Sequence, residues 1–269
     1  MKLKSLGVQT DLFFRRFDGE VLEKESYIVI RTPKNPGYRW GNFLVFEHPP
    51  KADDLEKWKA IFAKEIGIPP HYNHFVFAWD NLQGEVGVIQ PFIDAGFKLE
   101  KTSVMTAKSV NPPAKLNQKC MIRTFTNDDW QDWIELELAM NQANPADNRE
   151  SDGGFRDYLK HKADEYQEMI EAGLGQWFGA YVDGCLASSL GLFVWEKLGR
   201  FQMVATHPEF RRLGLAGTLV FYAAQQGLTT MGAETLVMCA DPNYVAINIY
   251  ESVGFETTEH LVGVDWHEK

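Results

Sequence analysis

The sequence predicts an α/β (α+β) protein of two similar units, each a mixed sheet flanked by helices. Three observations carry this. Short apolar runs alternate with stretches whose apolar residues recur at helical spacing, along the whole chain. The polar segment AKSVNPPAKLNQK, 107–119, holds Pro112 and Pro113 and reads as a linker between two apolar-patterned regions. The patterns before it are echoed in the same order after it, as in a diverged duplication. The expected boundaries are a first unit over 1–110, a linker over 111–118 and a second unit over 119–269.

The elements follow in order. In the first half, GNFLVFEHPP reads as a strand, DDLEKWKAIFAKEIG as a helix and HFVFAWD as a strand, followed by another helix and AGFKLEKTSVM. The second half opens with a strand at 119–124 and two helices between about 127 and 172. WFGAYVDGCLASSLGLFV is two apolar runs joined through Asp183 and Gly184, a dipeptide suited to a two-residue primed hairpin turn. A strand at 199–206, a helix from 213, a strand at 235–240, a helix at 242–252 and a final pair of strands complete the reading.

Composition narrows the function classes. The chain has 269 residues, 45% of them hydrophobic and 13% aromatic, which describes a packed globular protein. Its opening MKLKSLGVQTDLFF lacks an apolar run and a small-residue cleavage site, and no stretch approaches the roughly 18 apolar residues of a membrane span. A cytoplasmic protein without a membrane partner is expected. Cys120, Cys185 and Cys239 are odd in number, far apart and set in apolar surroundings, which suits reduced core thiols. The net charge of -10 argues against a nucleic-acid surface. The acid is concentrated, with 13 acidic against 5 basic residues between Cys120 and Gly173.

HPEFRRLGLAG, 207–217, runs against that trend. The apolar spacing of Leu215, Leu219 and Ala223 starts a helix here, yet Arg211 and Arg212 stand at its positive end, where acidic residues are the norm. Gly214 and Ala216 leave the loop nearly bare, so backbone N–H groups can converge on an anion with guanidinium donors beside them. A tight strand-to-helix turn with solvated arginines is the competing reading.

RRLGLA, 211–216, resembles the Gln/Arg-x-x-Gly-x-Gly/Ala signature of the GNAT superfamily of N-acetyltransferases, and HPEF is a common lead-in to it. DPNYVAINIYESVGF is similar to the family's last motif, with Asn243, Ala246, Tyr250, Gly254 and Phe255 at the matching spacings. The resemblance covers roughly 119–266. It implies GNAT-like units with partly splayed sheets and acetyl-coenzyme A as cosubstrate. The pyrophosphate would lie on Arg211, Arg212, Leu213, Gly214, Leu215, Ala216 and Gly217, and the thioester arm along the backbone of Val204, Ala205 and Thr206. Asn243 would cap the last helix and touch the cofactor. Tyr250 would protonate the leaving thiolate.

The first half reads HPPKADDLEKW where the second reads HPEFRRLGLAG, so Asp53 and Asp54 replace the signature and would repel a pyrophosphate. One cofactor per chain is expected, with the first half shaping a substrate site, covering a sheet edge or mediating assembly, as in a homodimer. The acceptor implied is a small-molecule or peptide primary amine, and the acidic stretch would draw a cationic one. Trp130, Trp133 and Phe155 would line its pocket or anchor the helices. No general base stands out. Gln202 and Met203 occupy the strand where many family members carry Glu, while Glu196, His207 and Asp241 have ready turn or surface readings. His71 and His74 lack an evident third ligand, so no metal is expected. Two alternatives stand beside N-acetyl transfer: a non-catalytic coenzyme A-binding protein, and a transferase with a bulkier acyl donor.

Overall fold

The computed structural model describes residues 1–68, 70–143 and 153–268. The first half forms α1 (Leu6–Asp18), β1 (Glu20–Glu23), β2 (Tyr27–Arg31), β3 (Phe43–Phe46), α2 (Asp54–Glu65), β4 (His74–Trp79), α3 (Gln90–Asp94) and β5 (Lys98–Ala107). Then come β6 (Met121–Thr124), α4 (Trp130–Gln142), α5 (Gly153–Glu171), β7 (Gly175–Val182), β8 (Cys185–Trp195) and β9 (Leu198–Thr206). The chain ends with α6 (Leu215–Thr229), β10 (Thr235–Ala240), α7 (Ala246–Val253) and β11 (Glu256–His267). No described helix is long and apolar enough to cross a membrane.

Two compact units result, the first from Met1–Met105, Cys239–Tyr244 and Thr257–Lys269, the second from Thr106–Met238 and Val245–Glu256. In the first unit, β1, β2 and β3 are antiparallel neighbours, β3 and β4 run parallel, and β11 lies antiparallel against β4. The last element is thus one long strand, not the expected pair, and it completes the first unit's sheet. Val262↔Trp79 through His267↔His74 are its register partners on β4. The physical reason is non-local. Val262 and Val264 are inward residues that fill the same core as Phe77, Trp79, Trp58 and Phe92, and nothing in their own alternation says which strand edge they will meet.

β11 also fixes the chain's beginning. Buried Glu259 accepts from Ser5 Oγ at 2.6 Å and from the Leu6 N–H at 2.9 Å, so a carboxylate from the C-terminal strand sits on the positive end of α1. Asp80, buried just past β4, accepts from the Lys4 and Ser5 N–H groups at 2.7 and 3.0 Å.

In the second unit β6, β7, β8 and β9 are successive antiparallel neighbours, and β10 runs parallel to β9. The β7–β8 turn is as the sequence predicts, with Asp183 and Gly184 both left-handed at φ 50° and 83°. Trp133 packs edge-on and Trp130 and Tyr166 pack tilted against Trp177, so these two α4 indoles anchor the helix in the core. Arg123 and Tyr181 both donate to Asp129 ahead of α4, and the Arg123 guanidinium, first among these donors, holds that carboxyl far below the ordinary range. The cysteines are not core thiols. Cys185 is exposed at the start of β8, and Cys120 and Cys239 are half-buried, because each falls at or near a strand end where packing thins.

The segment read as a linker is bound down within the second unit. Asn111 N–H donates to Val253 O at 2.8 Å, Pro113 is buried, and Asn117 N–H donates to Thr218 Oγ1 at 2.8 Å.

Candidate active site

The two units treat their parallel strand pair differently. In the first, β3 and β4 stay paired to their last residues, Phe46↔Trp79, and Asp80 N–H still reaches Phe46 O at 2.9 Å. In the second, β9 and β10 pair only over Thr235↔Leu198, Leu236↔Gly199 and Val237↔Arg200. Beyond that point β9 carries a bulge. Ser189 faces Ala205 and Gly191 faces Gln202, so one extra residue of β9 is fitted in, and Met203 takes φ 44°.

The bulge decides where the peptide groups after it point. Ser188 Oγ donates to Ala205 O at 2.6 Å, and His207 N–H donates to Ala187 O at 2.9 Å, so both bonds reach toward β8. The C=O and N–H of a trans peptide point in opposite directions. Thr206 therefore presents its own N–H and C=O at the edge away from β8, the arrangement an extended chain needs to add itself as a strand. Of the three residues named from the sequence, Thr206 faces that edge and Ala205 has its carbonyl turned inward, with Val204 inside the bulge. Ser188 was not singled out by sequence reasoning. Only its place as a hydroxyl in an otherwise apolar run hinted at it.

Downstream of β9, a 3-10 turn at Pro208–Phe210 leads into the loop before α6. Arg212 and Gly214 are both left-handed, at φ 65° and 80°. Thr218 N–H is bonded to Gly214 O at 3.1 Å, which leaves the N–H groups of Leu215, Ala216 and Gly217 as the first-turn donors that helix geometry gives no i-4 acceptor. Arg211 lies exposed beside Met140 Sδ, 3.2 Å away, and Leu213 is an exposed apolar residue. The structure thus gathers Arg211 through Gly217 at one helix start.

Tyr250 is buried on α7 and held by two anchors. The preceding Ile249 is 3.5 Å from where a Cβ on Gly217 would stand, and the following Phe255 ring packs edge-on against Phe201 of β9, 5.7 Å between centroids. Gly254, at φ 108°, closes α7, with Phe255 N–H reaching back to Tyr250 O at 3.1 Å.

Asn243 does not cap α7. The helix starts at Ala246 with Val245 before it and no side-chain cap, while Asn243 is exposed and its N–H donates to Asp241 Oδ1 at 2.8 Å. An Asx turn, a local alternative to capping, has taken it. Asn243 falls in the first unit, where it lines a cavity of about 350 Å³ with Glu100, Lys101, Thr102 and Asp241. Burial, and then the carboxylates of Asp265 and Asp241, push the Glu100 carboxyl up.

The weaker candidates settle into structural places. Glu196 is left-handed in the β8–β9 turn, and His207 Nδ1 accepts from the Glu209 N–H at 3.4 Å. His74 is buried against Asn42 O, where burial lowers its pKa, and no cluster of three or more metal-ligating side chains exists among the described residues. Phe155 stacks on Tyr158. In the first unit, Asp53 precedes α2, and Asp54 of its first turn accepts from the Lys51 N–H at 2.8 Å, so carboxylates already occupy the positive end of that helix.

Comparison with known proteins bears on the fold. The sequence model described as the Acetyltransferase (GNAT) family matches residues 130–255. No curated protein matches the sequence. Among solved structures, a conserved protein of unknown function from Staphylococcus epidermidis is similar with a TM-score of 0.70 at 12% identity, over 94% of this chain and 96% of that one. A GCN5-related N-acetyltransferase from Kribbella flavida gives a TM-score of 0.63 at 15% identity, over 96% and 93%. A tandem GNAT protein from the clavulanic acid biosynthesis pathway gives 0.55 at 13% identity, over 90% and 82%. At these identities the likeness speaks to fold, and it extends over both halves of the chain. Residues 130–255 thus match the Acetyltransferase (GNAT) family, and the fold of the whole chain is similar to that of a tandem GNAT protein, with the signature loop present in the second half and lacking in the first.

Proposed function

We propose that this protein is an acetyl-coenzyme A-dependent N-acetyltransferase acting on a primary amine, with one cofactor site, in the second unit. The observation that carries the reading is the conjunction, on consecutive elements, of the Thr206 backbone pair at the edge of β9 and the Arg211–Gly217 helix start. One suits an extended amide-bearing arm and the other a diphosphate. The donor groups present fit such a cofactor, which supplies the acetyl thioester.

In the transfer, the acceptor nitrogen forms its bond to the acetyl carbon as the C–S bond breaks. With the Thr206 pair taken by the arm, a backbone N–H of the β9 bulge, at Val204, would polarise the thioester oxygen. Tyr250 gives its phenolic proton to the departing thiolate, and the proton shed by the amine leaves through solvent, since β9 offers Gln202 and Met203 in place of a carboxylate. The acid-rich α4–α5 region supports a cationic acceptor. The missing strand carboxylate equally favours a second reading, a coenzyme A-binding protein without turnover.

Calorimetric titration with acetyl-coenzyme A, followed by thiol release in the presence of a panel of primary amines, tests both. One site per chain with amine-dependent thiol release supports the transferase. Binding without turnover for any amine supports the second reading, and no binding by folded protein refutes both.

A further inference from the structure

The loop before α6 is gripped from outside by the segment that joins the halves in sequence. Lys115 Nζ donates to Arg212 O, and Asn117 Nδ2 donates to Leu213 O at 2.9 Å. The next carbonyl, Gly214 O, accepts from Thr218 Oγ1 at 2.8 Å, and that hydroxyl is itself held by the Asn117 N–H at 2.8 Å. The carbonyls of Arg212 and Leu213 are thus held by this segment directly, and that of Gly214 through Thr218. The segment also lies close. A Cβ on Gly214 would stand 2.4 Å from Lys115 O, and one on Gly217 would stand 3.4 Å from Pro113 Cβ.

Peptide geometry gives this grip a consequence. Each carbonyl shares a plane with the N–H of the following residue, which points the opposite way. Holding the carbonyls of Arg212 and Leu213 toward 115–117, and that of Gly214 toward Thr218, therefore aims the N–H groups of Leu213, Gly214 and Leu215 away from those partners. Left-handed residues at 212 and 214 make the concave backbone such anion sites use. The glycine that the sequence suggests as a gap for a ligand is, on that face, filled by Lys115.

We propose that Lys115 and Asn117 are positioning residues of the coenzyme site, which hold the 212–215 peptides so that their N–H groups face the diphosphate. This rests on the coenzyme A reading above. Lys115 and Asn117 act through the loop, and their effect should follow the diphosphate rather than the fold. Lys115 is exposed, so its replacement leaves the core intact. Asn117→Ala removes the donor to Leu213 O, and with it the Oδ1 acceptor of the Lys119 and Cys120 N–H groups, without changing charge, which separates aiming from simple attraction.

The experiment is amide NMR and calorimetry on the full chain, with coenzyme A and, separately, inorganic pyrophosphate as probes. Wild type should show shifts at the Leu213, Gly214 and Leu215 amides with both probes. Lys115→Ala and Asn117→Ala should each weaken both probes by about tenfold while melting within about 2 °C of wild type. Wild-type affinity in the two variants would overturn the positioning role, as would coenzyme A binding that leaves those three amides unmoved. If Asn117→Ala fails to fold, Lys115→Ala carries the decision. If wild type binds neither probe, the coenzyme A reading itself falls, and the positioning role with it.

Discussion

Two glycines three residues apart at the start of α6 should respond oppositely to alanine. Gly214 has φ 80°, a region that costs a residue with a Cβ roughly 1–2 kcal/mol, and its Cβ would meet a backbone oxygen, Lys115 O, at 2.4 Å. That oxygen belongs to a segment tied by Asn117 and Pro113, so it cannot swing aside as a side-chain tip could. Relieving the overlap adds a cost comparable to overpacking a core, which brings Gly214→Ala to about 2–4 kcal/mol of lost stability. Gly217 sits inside the helix, and its nearest neighbours, at 3.4 and 3.5 Å, are in ordinary contact. Gly217→Ala should therefore be neutral or stabilising by up to about 1 kcal/mol, the helical preference of alanine over glycine. Urea unfolding followed by circular dichroism reads both values. Equal destabilisation by the two substitutions, or a neutral Gly214→Ala, would refute the placement of 113–117 on the loop.

Tyr250→Phe should lower kcat by about a hundredfold at unchanged coenzyme affinity, measured by thiol release and calorimetry. Equal losses in both would reduce Tyr250 to a packing role. Glu259→Ala strips the buried carboxylate from Ser5 and Leu6 and should cost about 2–3 kcal/mol, read as a lowered urea midpoint. Asp129, whose folded pKa is depressed by Arg123, contributes stability that is complete above the ordinary aspartate pKa near 4. That contribution should fade as pH falls below this value toward the folded pKa. Asp129→Asn should therefore destabilise at pH 7 and flatten the acid limb of a stability–pH curve. Finally, a fragment 1–110 lacks β11 and should show no cooperative thermal transition alone, but regain one when mixed with a peptide spanning 257–268.

Much of the second unit was legible because its signals are local. A turn that needs two left-handed residues asks for Asp-Gly, a helix start that needs a bare backbone asks for Gly and Ala, and Gly254 ends a helix wherever it falls. Those demands are written within a few residues of the feature they create, so Asp183–Gly184 and Arg211–Gly217 could be placed by reading alone. Erasure of the signature in the first half was readable for the same reason, through Asp53 and Asp54.

Only the tertiary structure decided the rest. Asn243 reads as a cap because Asx turns and helix caps draw on the same residue types at nearly the same spacing; here the Asx side chain is Asp241, Asn243 supplies only its N–H, and α7 begins too late for Asn243 to cap it. The destination of β11, the buried state of Glu259 and the grip of Lys115 and Asn117 all join residues about 100 or more apart in sequence. An alternating strand states which of its faces is apolar but not whose edge it will pair with, and a polar, proline-bearing stretch states that it is neither helix nor strand but not what it lies against. The sequence by itself determined a tandem α/β fold with one signature loop. Tertiary structure decided which edge of β9 is open and what holds that loop, because pairing partners at long range are chosen by the whole fold at once.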